Sequence, residues 1–348
     1  MVFRFAIATM LSGLAVLLSA QQAPLRSPWD SEARAASDAP YRCPEAPSLP
    51  HDFATNSYYI DPRHSIIDPA LKKKYEDSVA PIDGFARSVV AAADAYRATG
   101  SRAAAGCAVN LLAQAAVRKV LSGHMEGHQA SYVQGWNLGA WAVAWLKVRS
   151  SGAASQQQES EIHAWFKKLA EGTRDYYDEK RRGRRPNDAD NNHLYWAAFA
   201  IAAAGIANDD RRLFAWGMTA YRQGIGDIRS DGTLPMEMAR GQMALHYHLY
   251  ALAPLVFLAE MGEANGLDLY AERDFAIRRL VARCVAGLED PALFERQTGI
   301  AQVPQEVAGL EASWGTVWTH RFPDAKISAL ISHARYRGYT ELGGLPPQ

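Results

Sequence analysis

Apolar residues recur at helical spacing along most of the chain from Pro81 onward. Alanine and leucine dominate these segments, and glycine, proline or Asp/Asn clusters punctuate them. The pattern predicts helices over 82–98, 102–121, 128–149, 159–178, 191–205, 210–228, 236–262 and 267–285, and further ones over 303–318 and 325–335. Ser101 and Asp190 are the expected N-caps of two of them. Valine, isoleucine and threonine are never strung into alternating runs, and no glycine-rich phosphate loop follows a strand pattern. The expected fold is therefore all-α. Long helices joined by short turns are natural antiparallel neighbours. So many of them exceed a simple bundle and point to a barrel or toroid of helical hairpins with a central cleft. A solenoid would give a similar pattern, but no repeat of fixed period is visible.

The first part of the chain follows other rules. Residues 1–20 place one arginine before a largely apolar run that ends in Ser-Ala. This is the layout of a Sec-type signal peptide, so export is expected, with no stable membrane insertion after cleavage. A membrane anchor is the competing reading, but the run is short and no basic stop follows it. Residues 21–55 are expected as an extended N-terminal arm, and 56–340 as a single domain. Tyr58 to Pro69 mixes polar and aromatic residues with two prolines and reads as a loop. Ser65 and Asp68 can each cap a following turn, and Pro69 suits a first helical position. Lys72-Lys73-Lys74 then reads either as a solvated first turn or as part of a lid that meets an anion.

Composition changes this picture little. The 348 residues, 48% of them hydrophobic, suffice for a sizeable core. Lys+Arg and Asp+Glu balance at 37 each, so bulk charge gives no support to a nucleic-acid partner. A local basic groove for a polyanion stays compatible with that balance. The densest positive run, Lys180 to Arg185, ends just before Asn187–His193. It is either a solvated loop or an electrostatic attractor. Cys43, Cys107 and Cys284 permit one bridge and one free thiol, and their spacing is neither metal-binding nor redox-like.

Two polar clusters carry the candidate chemistry. The first is Asp190-Asn191-Asn192-His193-Leu194-Tyr195-Trp196. On a helix, Asn192, His193 and Trp196 fall three or four residues apart and are expected to form one patch. Backbone donors at the helix start add a positive potential. An amide, an imidazole and an indole suit a carboxylated sugar; a capped helix start with a satisfied histidine is the plainer reading. The second cluster runs from Glu237 to Tyr250, within the helix expected over 236–262, which puts Arg240, Ala244 and Tyr247 on one face, and Glu237 with Arg240 likewise. His246 and His248 would point apart, so a zinc site is disfavoured and no cofactor is expected. In 128–149, Trp141 and Trp145 share a face, as core or as a rim of rings for sugar stacking.

Asparagine, histidine, arginine and tyrosine without a metal suit an elimination on a uronic acid. Neutralising the C5 carboxylate, a task for Arg240 and Asn192, lowers the cost of an enolate-like carbanion. A base then removes the C5 proton and an acid protonates the oxygen leaving C4. Tyr247 can serve as acid, and as base when nearby positive groups hold it ionised. A glycoside hydrolase would need two facing carboxyl groups. Asp188, Asp190, Asp227 and Glu237 are the nearby candidates and form no obvious pair, so hydrolysis and non-catalytic polysaccharide binding remain alternatives.

Asn191-Asn192-His193-Leu194-Tyr195-Trp196, followed by Arg240-Gly241 and Ala244-Leu245-His246-Tyr247-His248, resembles polysaccharide lyase family 5, the periplasmic mannuronate-specific alginate lyases. Tyr59, Asp68-Pro69-Ala70-Leu71 and Trp314-Gly315 with Trp318 look similar too. The resemblance implies an incomplete (α/α) toroid with a tunnel-like cleft, and β-elimination on poly-β-D-mannuronate that leaves a 4,5-unsaturated uronate end. It implies a periplasmic enzyme acting on anionic alginate beside the alginate export machinery. It also implies roles. Asn192 and Arg240 neutralise the substrate carboxylate, and His193 assists and can act as base. Tyr247 protonates the leaving oxygen and takes the C5 proton, both on one side of a mannuronate ring. Trp196 borders the sugar subsites, with Asn191 and Tyr250 as further substrate contacts. The Tyr59–His64 loop, with Arg63, resembles the family lid, and Lys72 lies near it. Gln242 stands where the family often has a basic residue, which leaves fine specificity open. Another polyuronate remains an alternative substrate.

Overall fold

A turn of two or three residues forces a helix back along the one before it, and that rule organises this chain. In the computed structural model, which describes residues 23–30, 35–183 and 187–347, α1 (Pro69–Thr99) and α2 (Arg102–Val117) are joined by Gly100–Ser101. The expected signal peptide lies outside the described residues, as do Arg184 and Arg185 of the basic run. The hairpins continue with α3 (Gly127–Val148) and α4 (Gln156–Arg181), then α5 (Asn192–Ala207) and α6 (Arg211–Asp227). A short α7 (Pro235–Met238) precedes α8 (Ala244–Glu263) and α9 (Glu272–Glu289). A short α10 (Ala292–Thr298) precedes α11 (Gly309–Arg321) and α12 (Ala325–Ser332).

Packing sorts these helices into two layers. Helices α1, α3, α5, α8 and α11 pack on one another in series, and α2, α4, α6, α9 and α12 back them. This is the expected all-α architecture, an (α/α) toroid. Because inner and outer helices alternate, the inner ones run the same way and start at one end of the molecule. Their N-termini bring positive potential to that end.

Composition explains which helix lies at the centre. Helix α5 is apolar on every side and is buried by α3, α4, α6 and α8. Small residues let its neighbours close in. A Cβ at Gly217 of α6 would come within 2.8 Å of the Ala202 Cβ on α5. Outer helix α4 is instead one-sided, burying Ile162, Trp165, Phe166, Leu169, Ala170, Thr173 and Tyr177 at helical spacing.

Several expected boundaries move. Helix α1 begins at Pro69, not at 82, because Asp68 caps it by accepting the Leu71 N–H at 2.9 Å. Pro81 then sits inside the helix, which tolerates one missing N–H because its far end packs on α2 and α3. Ser101 caps α2 as expected, accepting from the Ala104 N–H. Asn191 rather than Asp190 caps α5; Asp190 closes the preceding 3₁₀ turn by accepting the Asn187 N–H. The helix expected over 303–318 begins only at Gly309.

The arm packs onto the toroid. Leu25 and Trp29 are buried, and Phe53–Ala54 pairs in parallel with Met125–Glu126. The Cys43–Cys107 disulfide ties the arm to α2, and Cys284 is a buried free thiol. At the other end, buried Lys147 on α3 holds Asp94 of α1 at 2.5 Å and the carbonyls of Gly343 and Leu345 at 2.6 and 2.8 Å. Among the described residues, no helix is long and apolar enough to cross a membrane.

Candidate active site

The segment expected as one helix over 236–262 is broken, and the break builds the site. Helix α7 stops at Met238, and Gly241 adopts φ +58° in a 3₁₀ turn before α8 starts at Ala244. Glycine takes that conformation without steric cost. Arg240 and Tyr247 therefore do not share a helical face. The turn instead folds the Arg240 guanidinium over the Tyr247 ring, 4.5 Å from its centroid.

The loop before α1 closes on this pair as a hairpin. Tyr59 pairs with Ile67, and Asp61 fastens the tip by accepting the Ser65 and Ile66 N–H groups at 2.7 Å each. Burial opposes the Asp61 charge, but the donors from Ile66, Ser65 and Arg63 prevail and pull its carboxyl down to about 2. Tyr59 Oη then lies 2.6 Å from Tyr247 Oη. The Gln242 side-chain amide donates to the Ser65 carbonyl at 2.7 Å, which pins the hairpin to the turn beside Arg240. Arg63 is exposed beside Gly241.

The facing wall comes from the starts of α3 and α5. The His193 imidazole stacks on Tyr132, with centroids 3.9 Å apart, and Trp136 lies next, at 6.2 Å. Tyr132 is itself anchored: its hydroxyl donates to Asp188 at 2.8 Å, and the Tyr176 hydroxyl donates to the same oxygen. Burial, then Arg240, pushes the His193 imidazole down to about 3, so it is neutral at physiological pH. Asn192 is fully buried beneath it. Its side-chain NH2 and backbone N–H both donate to Glu237, which is also fully buried. Two polar atoms here have no protein partner, Asn192 Oδ1 and His193 Nδ1. Burying such atoms unpaired is costly, so a polar ligand is the natural complement.

Burial raises the Tyr247 phenol well above its ordinary value, while the Tyr59 hydrogen bond and Arg240 pull the other way. The resting phenol is protonated. The arrangement thus gathers a guanidinium, a neutral imidazole and two hydrogen-bonded phenols.

Other sequence candidates are placed differently. Trp196 is 1% exposed and its indole donates to the Tyr250 carbonyl, so it supports the wall from inside rather than bordering open sugar subsites. The expected Asn192–His193–Trp196 patch is therefore not formed: α5 is buried all round, and its indole turns to the core. Tyr250 is half-buried between Trp196 and His246. Asn191 is buried and occupied as the helix cap. Lys72 is exposed and pairs with Glu76 on its own helix at 3.5 Å, a solvated first turn. Trp141 and Trp145 are core. His248 is fully buried, accepting the Leu234 N–H and donating to the Ala244 carbonyl, so both nitrogens are committed. Among the described residues, no group of three or more His, Cys, Asp or Glu is arranged to hold a metal ion. Tyr132 was not anticipated from sequence, although its four-residue spacing to Trp136 would have flagged an aromatic pair.

Tyr132, His193 and Tyr247 thus lie in the first turns of the inner helices α3, α5 and α8, with Arg240 in the turn before α8. Comparison with known proteins identifies the family. Residues 52–294 match the alginate lyase family model. A polysaccharide lyase of Stenotrophomonas maltophilia strain K279a is 41% identical over 296 residues, 84% of this chain and 86% of its own. An alginate lyase of Pseudomonas entomophila strain L48 is 32% identical over 308 residues, 85% and 82%. The solved alginate lyase A1-III from Sphingomonas species A1 superposes with a TM-score of 0.75 at 23% identity, covering 93% of this chain and 90% of that one. The chain belongs to the alginate lyase family, polysaccharide lyase family 5. It is an alginate-cleaving polysaccharide lyase.

Proposed function

We propose that the protein cleaves poly-β-D-mannuronate by β-elimination, without a metal, and leaves a 4,5-unsaturated uronate at the new non-reducing end. The observation that carries this reading is the Tyr247 hydroxyl, held at 2.6 Å by Tyr59 and roofed by Arg240. It is a proton donor beside a fixed positive charge. In this reading Arg240 faces the C5 carboxylate and disperses the charge that builds there as the C5–H bond breaks, while Asn192, whose NH2 is taken by Glu237, meets the group through Oδ1 by accepting from its protonated form. His193, neutral in the resting site, adds a hydrogen bond to the same group through its unpartnered nitrogen. Tyr247 first loses its phenolic proton to bulk water; the phenolate, held by Arg240 and the Tyr59 hydroxyl, then takes the C5 proton and gives it to the oxygen leaving C4 as the C4–O bond breaks. The electron pair of the C5–H bond becomes the C4–C5 double bond, and no water enters. One phenol suffices because both groups lie on the same side of a mannuronate ring.

The same reading places the enzyme in the periplasm, with alginate as its anionic partner and the export machinery as a neighbour. The test is to incubate purified protein with polymannuronate and EDTA and follow the ultraviolet absorbance of the new double bond. A rise on polymannuronate that is absent on polyguluronate supports the reading. Reducing ends without that absorbance would mean hydrolysis and contradict it.

A further inference from the structure

One buried ionisable group next to the reacting residues has no part in the steps above. Glu237, in α7, is fully buried. Its Oε1 accepts the Asn192 backbone N–H at 2.8 Å, and both its oxygens lie 3.0 Å from Asn192 Nδ2. Its Oε2 lies 3.8 Å from Arg240 Nε. A carboxylate accepts and cannot donate, so it dictates the direction of the facing amide: the NH2 end must turn toward Glu237. That leaves Asn192 Oδ1 as the unpartnered end. Glu237 thus touches the two residues assigned to the sugar carboxylate, and nothing about its position suits proton transfer to a substrate from which it is sealed.

We propose that Glu237 is the positioning residue of the carboxylate site: it fixes the Asn192 amide and serves as the internal counter-ion of Arg240 until the substrate carboxylate arrives. The proposal rests on the polyuronate reading above. It has a definite energetic content. Before substrate binds, the Arg240 charge is balanced by a buried partner, which avoids the cost of an unpaired buried cation. A bound uronate carboxylate then shares that guanidinium with Glu237. Removing the Glu237 charge should therefore strengthen ground-state attraction for the polyanion while loosening Asn192, whose orientation matters for the charge that develops on the way to the enolate.

The test compares wild type with Glu237→Gln and Glu237→Asp on polymannuronate. Gln keeps the size but lacks the charge and no longer dictates the direction of the Asn192 amide. Asp keeps the charge but retracts it. Glu237→Gln is expected to lower kcat by at least about tenfold with KM unchanged or lower. Glu237→Asp is expected to lower kcat similarly with KM close to wild type. Rates are referred to folded protein by circular dichroism and melting temperature. If Glu237→Gln does not fold, Glu237→Asp decides by the same kcat criterion. The proposal is overturned if kcat stays within about threefold of wild type, or if the loss sits wholly in a higher KM. Absence of unsaturated product from the wild type would instead defeat the polyuronate reading itself.

Discussion

The hydroxyls of Tyr59 and Tyr247 sit 2.6 Å apart, although the two residues are 188 positions apart in the chain. One comes from the hairpin before α1 and the other from the start of α8. Each therefore reports on whether the hairpin covers the cleft. Tyr59→Phe removes a single neutral hydrogen bond, worth about 0.5–1.5 kcal/mol. We expect kcat to fall by roughly two- to tenfold, measured as initial rate of double-bond formation. A loss as deep as that of Tyr247→Phe would mean that Tyr59 itself handles the proton.

Gln242 pins the hairpin through the Ser65 carbonyl at 2.7 Å. Gln242→Ala should free the loop without touching the phenols. KM for polymannuronate should rise by about two- to tenfold, with kcat less affected. Amide hydrogen exchange over residues 58–68 should accelerate. Unchanged exchange there would show that the hairpin is held by other contacts.

Acid should weaken the fold through two buried imidazoles. Burial is the main cause in both, lowering His193 to about 3 and His248 to about 4 from an ordinary value of 6.5. Their contribution is present in full above 6.5, where both folded and unfolded chains hold them neutral. As pH falls from there toward 4, the unfolded chain takes up protons that the native state refuses, and the contribution is lost. The melting temperature should decline progressively over that window. Protonating His248 also forfeits its bond from the Leu234 N–H, so His248→Gln should flatten part of the decline. A melting temperature that stays level across the window would contradict this account.

Lys147 is the main polar anchor of the C-terminal tail. Its ammonium serves Asp94 and the carbonyls of Gly343 and Leu345, while Asp94 also accepts from Tyr336 and the Leu345 N–H. Lys147→Met leaves a buried carboxylate without its cation and should cost about 3–5 kcal/mol. Lys147→Met with Asp94→Asn should recover part of that loss in denaturant titration. A single variant as stable as wild type would exclude the clamp.

Much of this architecture is legible in the sequence, because helical periodicity survives wherever one face or all faces are apolar. Helices α2 to α6 fall close to their expected spans for that reason. The reading fails where one residue overrides the period. Pro81 suggested a start that tertiary packing on α1 erases, and Gly241 hides a break inside an otherwise helical pattern. Arg240 and Tyr247 were paired by a two-turn spacing that does not exist; the glycine turn brings them together instead. Trp196 illustrates the opposite error. Spacing put it beside His193, but spacing on a helix buried all round cannot say which side meets the cleft. Glu237 meets Asn192, and Tyr132 meets His193, through contacts between elements distant in sequence, and no local pattern encodes those.

The central claim is that Tyr247 carries the proton in an elimination. The measurement that tests it most directly is the rate of ultraviolet absorbance increase on polymannuronate in Tyr247→Phe, beside its affinity for the same polymer. We predict a rate lower by about 10²–10⁴-fold with binding retained. A variant that still forms the double bond at the wild-type rate would contradict the account.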